Sequence, residues 1–402
     1  MSALAIFFLL ISCAVGAENS TGNGNWTKVM LPGTTCLDGS PGAVYVRPPL
    51  YPTARVTTFV VYFEGGGWCY GLKDCYGRSL TDLGSSNDYK DYPPNVLPLG
   101  VSYEGASMFT SPPFVNATIA YAKYCTGDSW TSQNSTVSTW NNTRLYFNGR
   151  QMLEELFKTL MPLGLSTAST VVHAGCSAGA LTTYLHIDYL ASLLPASTLL
   201  LGVADAMFAL NVSAYPGNVP NFVSSMYAWG FEAWNSSSSV SAACLTANAG
   251  SGAACFFGGA LAPFVQTPLF VVNSKHDTWQ EITVMGLNHS ICPGTVAPDG
   301  AITLCRPGFE AEAAYWTAYG ETMAAHLEAL PPRHGGFLTN CPLHCQTGTG
   351  WADPSTGRVA DLGQAFVTWF YDAVANSRKT GWKAPRFIAN KADACVMGPV
   401  VC

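Results

Sequence analysis

The chain has 402 residues, 48% of them hydrophobic and only 11% charged, and 19 Lys and Arg against 25 Asp and Glu leave a net charge of −6. Intrinsic disorder is excluded, because disordered chains are rich in charge and poor in apolar residues. The acidic balance argues against nucleic acid as a partner, which asks for a basic surface.

Residues 1–17 (MSALAIFFLLISCAVGA) hold an apolar run followed by the small residues Ala14, Gly16 and Ala17. The run is too short for a bilayer, which takes about 20 residues, and reads as a signal peptide, although its start carries no Lys or Arg. The mature domain is then 18–402. No later run is long enough to span a membrane: 199–210 is interrupted by Asp205, and 396–402 is too short for the tail of a lipid-anchor signal. The expected location is outside the cell, in solution or in a cell wall. Asn-x-Ser/Thr sequons at Asn19, Asn25, Asn116, Asn134, Asn141, Asn211, Asn235 and Asn288 then predict N-glycans, which would supply the solubility that few charges do not.

In chain order, residues 57–63 (TTFVVYF), 118–122, 170–173, 199–203 and 268–273 are continuous apolar runs and read as buried strands. Residues 150–160, 180–194, 311–330 and 363–375 have helical apolar spacing. Uninterrupted runs mark parallel strands covered on both faces, with the helices as crossovers. The alternation predicts one α/β domain around a mostly parallel sheet. Residues 211–263, richer in Ser, Gly and Cys, read as an insertion or cap near the sheet's edge.

The 14 cysteines become 13 once Cys13 leaves with the signal peptide. An odd number predicts one free thiol, with Cys176 as the candidate. Close pairs are Cys69 with Cys75, Cys244 with Cys255 and Cys292 with Cys305. Cys36 and Cys125 pair by elimination, and Cys341, Cys345, Cys395 and Cys402 pair among themselves. A zinc site at Cys341-Pro-Leu-His344-Cys345 is the rival reading, disfavoured in an oxidising compartment.

Gly175-Cys176-Ser177-Ala178-Gly179 is a G-x-S-x-G between an apolar strand and a helical segment. That context is the nucleophile elbow, a tight turn that lifts Ser177 Oγ above the sheet edge. The alternative is a plain glycine turn. Phe63-Glu64-Gly65-Gly66-Gly67-Trp68-Cys69 follows an earlier strand. Its glycines let backbone amides approach an oxyanion, one of them pairing with the amide of Ala178, while Glu64 and Trp68 brace the loop. It lacks the Lys-Ser/Thr ending of a phosphate loop.

In this fold class the order is Ser, then acid, then His. His173 and His186 come too early, His276 adjoins the favoured acid, His289 lies in a sequon and His326 lies mid-helix. His334 stays open, and His344 sits in a cysteine-flanked loop that disulfides would hold rigid. Asp277 ends a late strand and would hold the Nδ1 proton of the base. Asp205 is the rival acid, and a turn or cap role is the plainer use of either.

At Cys36-Leu-Asp-Gly-Ser-Pro41, Phe63-Glu-Gly-Gly-Gly-Trp-Cys69, Leu83-Gly-Ser-Ser86, Tyr124-Cys-Thr-Gly-Asp128, Gly175-Cys-Ser-Ala-Gly179, Asp277-Thr-Trp-Gln280, Cys341-Pro-Leu-His-Cys-Gln346 and Trp369-Phe-Tyr-Asp372 the chain resembles the pectin acetylesterase family, which includes the animal Notum carboxylesterases. The resemblance implies a serine esterase on an α/β-hydrolase-like fold. It implies a triad of Ser177, Asp277 and His344, and an oxyanion hole of Gly66, Gly67 and Ala178, with no metal or organic cofactor. The His-Cys-Gln-Thr and Asp-x-Trp-Gln wording is closer to plant members. Those usually have Gly where this chain has Ala180, and residues 208–262 match poorly, so substrate-selecting contacts there do not carry over. The expected substrate is an O-acetyl ester on pectin or a related cell-wall polysaccharide. The alternative is removal of a fatty acyl ester from a secreted protein, and a third reading is a non-catalytic glycan-binding protein.

Overall fold

The apolar runs become the middle of one sheet. The computed structural model describes residues 25–49, 58–93, 96, 98, 107–217, 220–287, 310–348 and 362–388. The signal-peptide segment, the sequons at Asn19 and Asn288, His289, and Cys292, Cys305, Cys395 and Cys402 lie outside the described residues.

The chain begins with β1 (Thr27–Leu31), β2 (Gly42–Arg47), β3 (Thr58–Phe63), α1 (Leu72–Ser79) and β4 (Thr118–Ala122). A hairpin of β5 (Asn134–Trp140) and β6 (Thr143–Phe147) leads to α2 (Gly149–Leu160), β7 (Thr170–Cys176), α3 (Ala178–Leu193) and β8 (Leu199–Asp205). Then come α4 (Phe222–Ala233), α5 (Ala242–Ala247), α6 (Gly258–Leu261), β9 (Leu269–Ser274) and α7 (Thr278–Thr283). The described chain closes with α8 (Glu310–Ala329), β10 (Gly335–Thr339), α9 (Leu362–Asn376) and β11 (Arg386–Ile388). Among the described residues the main sheet runs β1-β2-β4-β3-β7-β8-β9-β10-β11. It is parallel from β4 to β11, and β2 joins β1 and β4 antiparallel at one edge.

The pleat explains why the central strands are apolar at every position. Phe59, Val61 and Phe63 of β3 face one core with α2, α3 and α8, while Val60 and Tyr62 face a second core with α9. The runs read at 57–63, 118–122, 170–173, 199–203 and 268–273 supply β3, β4, β7, β8 and β9; residue 57 lies outside the described residues, β9 starts at Leu269, and β7 and β8 run on to Cys176 and Asp205. The four expected helices form within a few residues of their predicted ends. The hairpin was not anticipated, although Asn141-Asn142, with φ of 48° and 60°, marks its turn.

Residues 211–263 differ from expectation in place. They leave after β8 and return before β9, two neighbours inside the sheet, so the insertion rises from its interior and not its edge. Cys36–Cys125, Cys69–Cys75 and Cys244–Cys255 are bonded as read. Two cysteine expectations are corrected. Cys176 is not a free thiol: it is bonded to Cys345, with Cα atoms 5.7 Å apart. Cys345 therefore does not pair with Cys341, Cys395 or Cys402. Spacing could not reveal this, because 169 residues separate the partners and only the loop after β10, reaching back to the end of β7, brings them together.

Candidate active site

The turn from β7 to α3 contains a single residue, Ser177, at φ 57° and ψ −121°. That left-handed value is rare for a residue with a side chain and is the backbone conformation that a nucleophile elbow requires. Ser177 N donates to Asp205 O at 2.8 Å, pinning the turn to the end of β8. The helix starts close against β3: a side chain on Gly179 would run into the Phe63 carbonyl oxygen. The methyl of Ala180 is wholly buried in the core behind it.

The glycine loop lies against this turn, since a Cβ on Gly65 would come within 2.6 Å of Cys176 O and 3.1 Å of Ser177 Cβ. Gly67, at φ 69°, has open space around its Cβ direction, so backbone angle and not room calls for glycine there. Both braces read from the sequence are present. Trp68 Nε1 donates to Ser129 Oγ at 2.7 Å, and that hydroxyl donates to Ala178 O at 2.8 Å, joining loop to elbow. Glu64 is buried, paired with Lys123 Nζ at 2.6 Å and accepting from Tyr124 N at 2.8 Å. Burial pushes its carboxyl pKa up, and Lys123 opposes that. Glu64→Ala strands a buried ammonium, so urea unfolding should register a loss of about 3–5 kcal/mol; an unchanged midpoint would show the pair contributes nothing.

Asp277 caps α7, accepting from the amides of Trp279 and Gln280 at 3.0 Å each, and is fully buried. His344 Nδ1 lies 3.0 Å from both Asp277 oxygens. Burial disfavours the imidazolium, but the Asp277 charge and hydrogen bond, with the charge of Asp205, outweigh it and hold the His344 pKa above 6.5. The rival acid has different work. Asp205 Oδ2 accepts from Gln346 N at 2.6 Å, Thr347 N at 2.7 Å and Thr347 Oγ1 at 2.8 Å, so it holds the loop that carries His344.

Four other histidines serve the framework. His173 stacks on Phe63 and meets Thr183 Oγ1 at 3.1 Å, and burial pushes its pKa down to about 3. His334, the one left open, accepts from Leu269 N at 3.2 Å and lies 3.1 Å from Val265 O, also pushed down to about 3 by burial. His276 Nδ1 reaches Asn340 O at 2.8 Å, and His186 Nε2 lies 3.3 Å from Ser129 O. Cys176 Sγ, Cys345 Sγ and a His344 ring nitrogen lie within 4.8 Å of one another, so the imidazole sits beside the turn that carries Ser177. The sulfurs are bonded to each other, and Cys341 is disulfide-bonded as well, which leaves the zinc reading without the thiolates it needs.

Sequence reasoning missed the wall beside this pair. The Trp279 ring lies 5.8 Å from that of His344, Trp68 lies 5.7 Å from Trp279, and Tyr227 of α4 lies 5.2 Å from Trp68. The inserted segment therefore reaches the site through Tyr227. Trp279 was visible in the Asp-Thr-Trp-Gln motif, but nothing local marked Tyr227.

A mostly parallel sheet with a serine in the one-residue turn between a strand and a helix, and a His–Asp pair beside it, is the arrangement of an α/β-hydrolase-like fold. The family comparison is more particular: the pectinacetylesterase model matches residues 25–386, and the chain belongs to that family. Pectin acetylesterase 11 of Arabidopsis thaliana is 30% identical over 355 residues, 85% of each chain. Palmitoleoyl-protein carboxylesterase notum1' of Xenopus laevis is 28% identical over 257 residues, 61% of this chain and 50% of that protein. The structure of the Wnt deacylase Notum from Drosophila superposes with a TM-score of 0.71 at 20% identity, covering 92% of this chain and all of that one. No helix among the described residues is long and apolar enough to cross a membrane.

Proposed function

We propose that this protein is a secreted serine esterase that removes O-acetyl groups from pectin or a related cell-wall polysaccharide. Ser177 is the nucleophile, His344 the base, Asp277 its orienting acid, and the amides of Gly66, Gly67 and Ala178 the oxyanion hole. The observation that carries the reading is the His344 Nδ1–Asp277 contact beside the Ser177 elbow. The relatives matched over most of their length are pectin acetylesterases, which favours acetate over the fatty acyl alternative.

Ser177 Oγ attacks the ester carbonyl while His344 Nε2 takes its proton, and the oxyanion turns toward the glycine-loop and Ala178 amides. Collapse expels the sugar hydroxyl, which takes the proton from His344. Water, deprotonated by the same histidine, then releases acetate and restores Ser177. A signal peptide at 1–17 would bring the chain to the compartment where its disulfides form. Asn25, Asn141, Asn211 and Asn235 are exposed, as glycan acceptors must be.

Turnover of 4-nitrophenyl esters from acetate to palmitate, alongside acetate release from acetylated pectin, tests the acyl group. Activity should be highest at acetate, with release from the polymer. A maximum at long chains would mean a deep apolar acyl pocket and overturn the acetylesterase reading in favour of the fatty acyl one. The pH profile tests the base. His344 works as the neutral imidazole, so kcat/KM should fall as pH drops through its raised pKa, with the acid limb centred above pH 6.5. A limb centred below 6.5 would contradict the charge of Asp277 acting on His344.

A further inference from the structure

We propose that the Cys176–Cys345 disulfide is a positioning crosslink for the reaction, holding the base loop in register with the nucleophile; this rests on the triad reading above. The bond joins the residue immediately before Ser177 to the residue immediately after His344. Its two loops share an unusual feature. Ser177 has φ 57° and Cys345 has φ 64°, so each catalytic loop contains a non-glycine residue in the left-handed region. Such residues persist only where their surroundings over-determine them.

The surroundings do so from one place. Asp205 accepts Ser177 N on its backbone oxygen at 2.8 Å and the amides of Gln346 and Thr347 on its carboxylate at 2.6 and 2.7 Å. On the other side of His344, Ser274 Oγ donates to Cys341 O, and Asn340 O meets His276 Nδ1 at 2.8 Å. The loop is thus anchored before and after His344 to β8 and β9. The disulfide is the covalent link from its centre to the elbow. Asp277 orients the imidazole through Nδ1, but rotation about that contact leaves the distance from Nε2 to Ser177 free. A bond one residue from each catalytic side chain restrains that distance. Cys244–Cys255, in the inserted segment, makes no such link and serves as the control.

The experiment compares wild type, Cys345→Ser and the double variant Cys244→Ser/Cys255→Ser on 4-nitrophenyl acetate. Each is also treated with a fluorophosphonate that captures an activated serine. Cys345→Ser should lose about 10²-fold in kcat, the scale of a 1 Å misplacement, with KM within about threefold of wild type. Its fluorophosphonate capture at Ser177 should slow in proportion, while the double variant loses stability and keeps its kcat. Should Cys345→Ser fail to fold, the folded wild type is assayed during titration with a trialkylphosphine, which supplies two electrons as water supplies two protons and leaves as the phosphine oxide. Alkylation after the assay maps which thiols were released. Activity lost in step with release of Cys345, and regained on reoxidation, supports the crosslink. Full kcat with Cys345 replaced or released overturns it while leaving the triad intact. A wild type active on esters yet never captured at Ser177 overturns the triad reading, and the crosslink with it.

Discussion

Ser177→Ala should lower kcat on acetate esters by about 10⁴–10⁶-fold, leaving only what the oxyanion donors and substrate binding supply. The reason is local: Ser177 is the only residue between β7 and α3, and its backbone strain serves to lift the side chain out of the sheet edge. Alanine fits the same turn, because the backbone is held by Ser177 N donating to Asp205 O and by the packing of Gly179 against Phe63 O. Fold and stability should therefore survive, which circular dichroism and a thermal melt would verify. Acetate release is the direct readout. Turnover within tenfold of wild type would remove Ser177 from the mechanism.

Asp277→Asn should cost about 10⁴-fold in kcat, the scale seen when a triad carboxylate becomes an amide. Asparagine is the informative choice. Asp277 also caps α7, and Asn caps as well as Asp, so the helix start is preserved. What changes is the contact with His344. An amide can present its NH2 to Nδ1, which reverses the tautomer and leaves Nε2 protonated and unable to accept from Ser177. The charge that raises the His344 pKa is lost too, so the remaining activity should show its acid limb at lower pH than wild type. Near wild-type kcat in Asp277→Asn would return attention to Asp205, the other carboxylate whose charge acts on His344.

The site was legible where chemistry is written into neighbouring residues. An elbow needs small residues around one serine, and Gly175 to Gly179 spell that out between an apolar strand and a helix. A central parallel strand must be apolar on both faces, so residues 57–63 could be read without knowing what covered them. Asp277 was legible because a carboxylate just past a strand is placed to cap or to hold a base, and here it contacts both a helix start and His344. The Asn141-Asn142 turn was a local signal that went unread, and its hairpin with it. The edge strands β1 and β11 carried weaker signals, because an edge strand needs neither continuous burial nor length.

The fold class, the strand-to-helix serine and the glycine loop beside it could be read from local sequence, because turns, periodicity and burial are set by residues close in the chain. Long-range packing alone reveals that Asp205 clasps the loop carrying His344 instead of the imidazole itself, that Tyr227 reaches the site from the insertion, and that Cys176 is bonded to Cys345. These pairings span long separations and depend on which strand ends the crossovers bring together. A cysteine's spacing says nothing about that, whereas Asp205, at the end of β8 beside β7, holds Gln346 and so brings the loop after β10 across to Cys176.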